Sequence, residues 1–199
     1  MGLDPKVAKA KIRVQISTRL KLISSEERLR LSVQACALLE KQHLWTQAGA
    51  ILFYAPLKDE LDLSLLWPDA LKLKKLISIP QFKSEQGEYI ACQFDRPSEE
   101  LVRGKHGILE PPHDSPVLPL NQLDLILVPG VAFDLHGRRL GRGYGYYDRL
   151  LEKVCGTKCG VAFDQQIEVE LPEEPHDARL DCILTPTRWL SFSRRAVLE

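Results

Sequence analysis

The sequence predicts an α/β fold with a largely parallel sheet and a pair of helices ahead of it. Two observations support this prediction. Short apolar runs of strand length recur along the chain and alternate with helical patterns, which is typical of buried parallel strands. The residues before the first such run show instead the period of two amphipathic helices. Because 199 residues suffice to bury one core, we expect a single domain over residues 1–199.

The two predicted helices cover about residues 5–23 and 24–42. In the first, apolar side chains recur at every fourth position, at Ala8, Ile12, Ile16 and Leu20. Ser24 and Glu27 have the spacing of a capping box, so the second helix is expected to begin at Ser24. A different face of the first helix carries basic side chains, for which a solvated stripe is the simplest interpretation from the pattern alone: Lys6, Lys9 and Arg13.

Six apolar runs are predicted as strands: residues 50–55, 76–79, 89–94, 125–128, 159–163 and 182–184. A helix is predicted over residues 61–73 with an interruption near Pro68, and Pro80 is expected to end the second strand. Residues 96–120 are predicted to form a connecting segment with one short strand around residues 107–109.

The most informative stretch covers residues 123–151. Pro129 and Gly130 end its strand, and a helical pattern begins after Gly145. Between them, arginines alternate with glycines, at Arg138, Arg139 and Arg142 and at Gly137, Gly141, Gly143 and Gly145. Glycines let the backbone approach a ligand, arginines offer forked donors, and a helix N-terminus attracts anions. The stretch therefore favours a phosphate-binding loop over a solvated turn, although it matches neither the Walker A nor the Rossmann glycine pattern.

Polar residues follow three of the predicted strands, at Asp59 and Glu60, over residues 134–148, and at Asp164. Ligands of open α/β sheets bind beyond the carboxyl ends of strands, so we expect these groups to lie near a ligand. Magnesium typically takes one or two carboxylates together with phosphate oxygens, which makes Asp148 a candidate. A favourable charge at a helix N-terminus explains Asp148 equally well.

Composition excludes several classes of protein. Lysine plus arginine and aspartate plus glutamate each number 27, and this balance disfavours a general nucleic-acid or membrane-surface binder. No apolar run approaches ~20 residues and no signal-peptide pattern is visible, so we expect a soluble, cytoplasmic, monomeric protein. The five cysteines are expected to be reduced and mostly buried, and a zinc site at Cys155 and Cys159 lacks further ligands.

Residues 140–148, preceded by residues 128–134, resemble the 5-formyltetrahydrofolate cyclo-ligase family, also called 5,10-methenyltetrahydrofolate synthetases. Further landmarks along nearly the whole chain are Lys9 with Arg13, residues 24–28, residues 107–111, and His176 with Asp177. The resemblance implies a three-layer, Rossmann-like sandwich with a mostly parallel sheet. It also implies an enzyme that uses Mg²⁺ and ATP to convert 5-formyltetrahydrofolate to 5,10-methenyltetrahydrofolate, releasing ADP and phosphate.

The resemblance also implies roles for the matching residues. Two segments would contact ATP: Lys9, Ala10, Lys11, Ile12 and Arg13, and then Arg139, Leu140, Gly141, Arg142, Gly143, Tyr144, Gly145, Tyr146 and Tyr147. Folate would contact Ala55, Glu60, Arg142, Gly143, Tyr144, Gly145 and Tyr146. Asp148 and Asp177 would be linked to magnesium, and Arg139 and Arg142 would act in catalysis by holding the phosphates.

Two residues depart from the family pattern. Tyr144 stands where glycine or a basic residue is usual, and Gln81 follows Pro80 where arginine or lysine is common. His176, the cysteines and the three tryptophans are interpreted as packing residues. Two rivals remain: a non-catalytic relative that binds nucleotide, folate or RNA, and a sugar-phosphate isomerase or acyl-transferring enzyme of similar fold.

Overall fold

The computed structural model describes residues 4–95, 100–174 and 177–192. Within these ranges a sheet of eight strands forms the centre of the molecule. Numbered in chain order, the strands lie side by side as β13 (Trp189–Ser191), β12 (Cys182–Leu184), β10 (Thr157–Val161), β7 (Leu125–Pro129), β1 (Ala50–Leu52), β2 (Leu76–Lys83), β3 (Glu88–Gln93) and β6 (Val117–Leu118). The five strands from β12 to β2 are parallel, whereas β13, β3 and β6 are antiparallel to their neighbours.

The parallel strands have the doubly wound order in which the chain reverses its direction of travel between β1 and β7. In chain order β1 is first and β7 third among them, and the two are direct neighbours, with Ile51 opposite Leu125 and Leu52 opposite Ile126. At such a switch point the loops after the two strands leave in different directions, and the crevice between them is the usual ligand site.

Helices cover both faces of the sheet. One apolar cluster joins β1 and β7 to α1 (Pro5–Leu20), α2 (Ser25–Glu40), α3 (His43–Gln47) and α4 (Trp67–Lys72). A second cluster joins the other face to α5 (Tyr146–Lys153). Successive strand residues alternate between the clusters, with Ile51 in the first and Leu52 in the second, as the period of a strand requires. The predicted three-layer α/β fold is thus confirmed.

Smaller elements complete the described chain. A three-stranded sheet, in the order β11 (Ile167–Glu168), β8 (Ala132–Asp134), β9 (Arg139–Leu140), follows β7 and leads into α5. A separate pair consists of β4 (Val102–Arg103) and β5 (Leu109–Glu110). Short 3₁₀ helices occur at Ser64–Leu66, Lys105–Gly107, Leu120–Gln122 and Asp164–Gln166.

The two N-terminal helices are confirmed, and side chains cap both. The Asp4 carboxylate accepts a hydrogen bond from the Lys6 N–H at 2.9 Å, and Pro5 occupies the first turn of α1. The Ser24 hydroxyl accepts from the Glu27 N–H at 3.1 Å. The Glu27 carboxylate accepts from the Arg30 guanidinium, so only the serine half of the predicted capping box is built.

Of the two proline predictions, one is wrong and one is confirmed. Pro80 does not end β2, which continues to Lys83. The Phe94 N–H donates to the Ile77 carbonyl, so Pro80 occupies a non-hydrogen-bonded position opposite Ala91, and β1 has already ended at its other side. The interruption predicted near Pro68 is confirmed, because a 3₁₀ turn at Ser64–Leu66 gives way there to α4. Pro68 lies in the first turn of α4, where its missing N–H is tolerated.

The cysteines are all free, and Cys36, Cys92, Cys159 and Cys182 are buried as predicted, whereas Cys155 is exposed. Among the described residues, no helix is long and apolar enough to cross a membrane. His176 lies outside the described residues.

Candidate active site

A cavity of about 290 Å³, called here the apolar cavity, opens at the switch point of the sheet. Its walls are built from the segment after β1, from β2 and β3, from the end of β7, and from the glycine-rich loop. Tyr54, Ala55 and Glu60 follow β1, and Pro129 and Gly130 end and follow β7. The structure therefore brings together the polar group after β1 and the central loop, as the strand-end argument predicts.

A second cavity of about 470 Å³, called here the charged cavity, lies on the other side of the loop. Five charged residues predicted for the site line it: Lys9, Arg13, Arg139, Asp148 and Asp177. Lys6, Arg149, Glu152 and Glu174 add further charges. Both signs of charge are thus concentrated around one opening, in a chain whose net charge is zero.

The loop between β9 and α5 forms a wall common to both cavities. Arg139, Gly141, Gly143, Tyr144, Gly145 and Asp148 line each of them. Gly143 has φ of 101° and Gly145 has φ of 67°, conformations that side chains with a Cβ rarely adopt. The Arg13 Nε donates to the Gly141 carbonyl at 2.9 Å and so ties α1 to the loop.

Arg139 fixes the base of the loop. Its guanidinium is buried, and Nη2 donates to Asp148 Oδ1 at 2.7 Å while Nη1 donates to the Pro129 carbonyl at 3.2 Å. The same group lies over the Tyr147 ring, 5.6 Å from its centroid. The end of β7 and the first turn of α5 are therefore held by one cation, and Asp148 borders both cavities as half of an ion pair.

Lys9 is buried, which corrects its interpretation as part of a solvated stripe. Its side chain is 9 % exposed, and Nζ donates to Glu174 Oε2 at 2.8 Å and to Asp177 Oδ2 at 2.6 Å. Burial disfavours the charged amine, but hydrogen bonds to Asp177 and Glu174 outweigh it and raise the Lys9 pKa above its ordinary value. The pattern alone does not show the burial of Lys9, because these partners lie more than 160 residues away in the sequence.

Arg142 reaches back toward the segment after β1. Its Nη2 donates to Asp59 Oδ1 at 2.8 Å and to Glu60 Oε1 at 3.1 Å. The Glu60 side chain is only 9 % exposed, and its other oxygen accepts from the Leu57 N–H at 3.0 Å. Burial raises the pKa of Glu60, while the Leu57 N–H and Arg142 oppose that rise. Arg142 thus borders the apolar cavity and not the charged one.

Aromatic rings form one wall of the apolar cavity. Tyr89 and Tyr146 line the cavity and meet edge to face with centroids 5.7 Å apart. Phe82 does not line it but packs edge to face against both rings, at 5.5 and 4.8 Å. Tyr144 stacks on Tyr146 at 5.6 Å, so the unusual tyrosine extends this wall outward. Burial raises the pKa of Tyr89 to about 12. These rings offer flat, uncharged surfaces to a planar ligand.

Several predicted residues lie away from the cavities. Ala10 and Lys11 are exposed, and Ile12 packs against the core, so only the two ends of residues 9–13 line an opening. Gln81 is buried, with its amide donating to the Pro111 and Pro112 carbonyls at 2.9 and 3.1 Å. Gln81, which departs from the family pattern, therefore has a packing role in this protein.

Two other charged groups singled out in the sequence belong to structural networks. The Asp164 carboxylate accepts hydrogen bonds from the Thr185 and Thr187 hydroxyls, each at 2.8 Å, and pairs with Arg188. Arg138 is held by Asp134, Glu170 and Glu173. Neither Asp164 nor Arg138 lines the apolar or the charged cavity.

Sequence reasoning missed part of the site. Tyr89 of the aromatic wall was predicted only as a strand residue, Phe82 beside it lay outside the predicted strands, and Glu174 was not singled out. Tyr89 reaches the cavity through the pairing of its strand with β2, which the sequence pattern does not show. No local pattern identifies Glu174 as a site residue, because its role depends on an ion pair with Lys9 in α1.

Two of the carboxylates that line the charged cavity fit a metal ion shared with a ligand. Among the described residues, no group of three or more histidine, cysteine, aspartate or glutamate side chains is placed to hold a metal. Asp148 and Asp177 line the same charged cavity, each paired with a cation. Magnesium commonly binds through one or two carboxylates plus substrate phosphates, and this donor set fits that mode.

Comparison with known proteins places these features in a family. The profile of the 5-formyltetrahydrofolate cyclo-ligase family matches residues 5–186. The 5-formyltetrahydrofolate cyclo-ligase of Mus musculus is 30 % identical over 188 residues, which cover 89 % of this chain and 93 % of that protein. The enzyme of the same name from Escherichia coli K12 is 30 % identical over 87 % of this chain and 97 % of its own length.

Solved structures agree with the sequence relatives. The NMR structure of Aquifex aeolicus 5,10-methenyltetrahydrofolate synthetase superposes with a TM-score of 0.84 at 34 % identity, covering 96 % of each chain. At 24 % identity, a Mycoplasma pneumoniae protein described as a 5,10-methenyltetrahydrofolate synthetase shares the fold with a TM-score of 0.72, over 89 % of this chain and 98 % of that one. The chain is therefore an enzyme of the 5-formyltetrahydrofolate cyclo-ligase family.

Proposed function

We propose that this protein converts 5-formyltetrahydrofolate to 5,10-methenyltetrahydrofolate by an ATP- and magnesium-dependent phosphorylation of the formyl oxygen. One observation carries the proposal: a single glycine-rich loop forms a wall of both the apolar and the charged cavity. Two ligands that occupy the cavities would meet across this loop. A reaction between a planar, largely apolar substrate and a triphosphate needs such an arrangement.

The apolar cavity suits a folate. Its aromatic wall offers stacking surfaces, and Glu60 supplies a buried acceptor for the ring N–H groups of a pterin. Ala55 adds a small, uncharged side chain to the same cavity. In the proposed complex Glu60 fixes the orientation of the pterin, and the formyl group faces the loop.

The charged cavity suits the phosphates of ATP. Lys9, Arg13 and Arg139 line it together with the loop, and the first turn of α5 begins there. No carboxylate among the described residues pairs with Arg13, which leaves its charge available to an anion. Helix N-termini and arginine forks are both favourable to phosphate oxygens.

Magnesium would be held by Asp148 and Asp177 together with phosphate oxygens. It would supply charge neutralisation on the triphosphate, which phosphoryl transfer generally needs. Arg139 and Lys9 already neutralise these two carboxylates in the folded protein. In the proposed complex these cations keep the carboxylates oriented toward the charged cavity.

The proposed chemistry needs no covalent nucleophile from the protein. The formyl oxygen of the substrate attacks the γ-phosphorus, and the bond from that phosphorus to the ADP oxygen breaks. The N10 nitrogen then attacks the activated formyl carbon, loses its proton and closes the ring as phosphate leaves with the former formyl oxygen. Arg142 and Arg139 contribute charge stabilisation, and the loop contributes positioning.

We also propose that the protein acts as a single-domain, cytoplasmic monomer. One chain supplies the walls of both cavities, which supports a site that is complete without a partner. All five cysteines are free, as is usual in a reducing compartment. Size-exclusion chromatography with light scattering tests the oligomeric state, and a dimer at working concentrations would contradict it.

The test of the proposed function is the ultraviolet absorbance of 5,10-methenyltetrahydrofolate in the presence of enzyme, ATP and magnesium. We expect product only when all three are present, with ADP and phosphate formed in equal amount. Folate binding without product at high enzyme concentration would contradict the proposal and favour a non-catalytic binding protein.

A further inference from the structure

Arg142 is clamped by two neighbouring carboxylates of different character. Glu60 is nearly buried in the wall of the apolar cavity, whereas the Asp59 side chain is 44 % exposed. One guanidinium nitrogen, Nη2, donates to both, at 2.8 Å to Asp59 and 3.1 Å to Glu60. The side chain of Arg142 is itself 41 % exposed, so the clamp lies at the surface of the site.

The clamp lies where three cavities adjoin. A side cavity of about 180 Å³ is lined by Asp59, Arg142 and Arg13. Arg142 also lines the apolar cavity, and Arg13 also lines the charged cavity. Arg142 therefore borders the proposed folate site and shares the side cavity with Arg13, which borders the proposed phosphate site.

The proposed folate contact competes with one side of this clamp. Glu60 Oε2 is already engaged by the Leu57 N–H, so a donor from the substrate approaches Oε1, the oxygen that Arg142 uses. When that oxygen is shared, the hold of Glu60 on Arg142 weakens. Asp59 faces away into the side cavity and keeps its contact.

We infer that Asp59 is a positioning residue, which keeps the Arg142 guanidinium aimed between the two substrates once folate occupies Glu60. The inference rests on the proposed function. Arg142 stands between Gly141 and Gly143, so its backbone provides little restraint on a long, flexible side chain. An anchor is needed because small misplacements of a catalytic group lower rates strongly.

The test is a kinetic cycle with Asp59→Asn, Arg142→Ala and the double variant. We expect Asp59→Asn to lower kcat about tenfold, equivalent to ~1.4 kcal/mol in the barrier. The KM for ATP should change much less. In the Arg142→Ala background the same substitution should have no further effect, because the group that Asp59 positions is gone. Asp59→Glu, which keeps the charge, should recover part of the loss.

The matched control is Asp69→Asn, which also removes an exposed carboxylate from an ion pair, with Lys72 at 2.8 Å, but on α4. It should leave kcat unchanged. Thermal melting should be similar for both variants and the parent, since exposed ion pairs contribute little to stability. Normal kcat in Asp59→Asn, or an equal loss with and without Arg142, would overturn the inference. A parent protein that forms no product would instead overturn the proposed function.

Discussion

Replacing Lys9 by alanine should destabilise the fold as well as weaken ATP binding. The change removes the amine that donates to Asp177 at 2.6 Å and to Glu174 at 2.8 Å. Hydrogen bonds to charged groups contribute about 1.5–3 kcal/mol each. The two carboxylates are 15 % and 26 % exposed and can be rehydrated, so we expect a total loss nearer to ~2 kcal/mol.

For a domain of this size, a loss of ~2 kcal/mol lowers Tm by about 4–8 °C. Because the folded protein raises the Lys9 pKa, the stabilisation is fully present below the ordinary value of 10.5 and is lost as pH rises through the folded value. The difference in Tm between parent and variant should therefore be constant near neutral pH and shrink in strongly alkaline buffer.

Calorimetry or thermal circular dichroism measures this difference, with Lys72→Ala as the control. Lys72 is also paired with an aspartate, but its side chain is 75 % exposed. Its removal should change stability by no more than about 0.5 kcal/mol. If Lys9→Ala has the same Tm as the parent and as Lys72→Ala, the ion pairs of Lys9 with Asp177 and Glu174 contribute nothing to stability, and the prediction is wrong.

Two further predictions concern the substrates. Arg142→Ala should lower kcat by ~10³-fold with a smaller change in the KM for ATP. Arg142→Lys should recover only part of kcat, since a point charge cannot reproduce a planar fork. Steady-state kinetics measures both, and a near-normal kcat in Arg142→Ala would remove Arg142 from the catalytic residues. Because burial raises the Glu60 pKa, kcat/KM for folate should fall with acidification already above pH 4.5, the ordinary value for glutamate. A Glu60→Gln variant should have a low kcat/KM that does not fall in this way with acidification. A pH profile of kcat/KM that is the same as the parent's would contradict the role of Glu60.

The central strands were predictable because both of their faces are buried. Residues 125–128 and 182–184 read as continuous apolar runs, and each became a parallel strand inside the sheet. The short edge strands β6 and β13 were not predicted. Their two or three residues pair only because a neighbouring strand lies beside them, and this context is absent from a local pattern.

Proline misled the prediction where tertiary structure removed its penalty. At Pro80 the side of β2 that faces β1 is unpaired, because β1 ends at Leu52, so the missing N–H costs no ladder hydrogen bond. Residues 61–63 were assigned to a helix that begins only with the 3₁₀ turn at Ser64. At Pro80 and at residues 61–63 the local sequence signal was present, but the neighbouring strand or turn determined the secondary structure.

For the site, the sequence identified the loop and its place at a strand end, because glycine spacing and strand boundaries are local features. The ion pairs of the site could not be predicted from the sequence. Arg142 contacts Asp59 and Lys9 contacts Asp177 across 83 and 168 positions of sequence, and no spacing rule links residues so far apart. These contacts determine which charges are buried, and so which substitutions affect stability in addition to activity.

The most direct test of the account follows the formyl oxygen itself. If the substrate is labelled with ¹⁸O at the formyl group and turned over with ATP and magnesium, mass spectrometry of the released phosphate should show one ¹⁸O atom per molecule. That result is required when the formyl oxygen attacks the γ-phosphorus and leaves with it. Unlabelled phosphate, with methenyl product formed and the label recovered in water, would contradict the proposed mechanism.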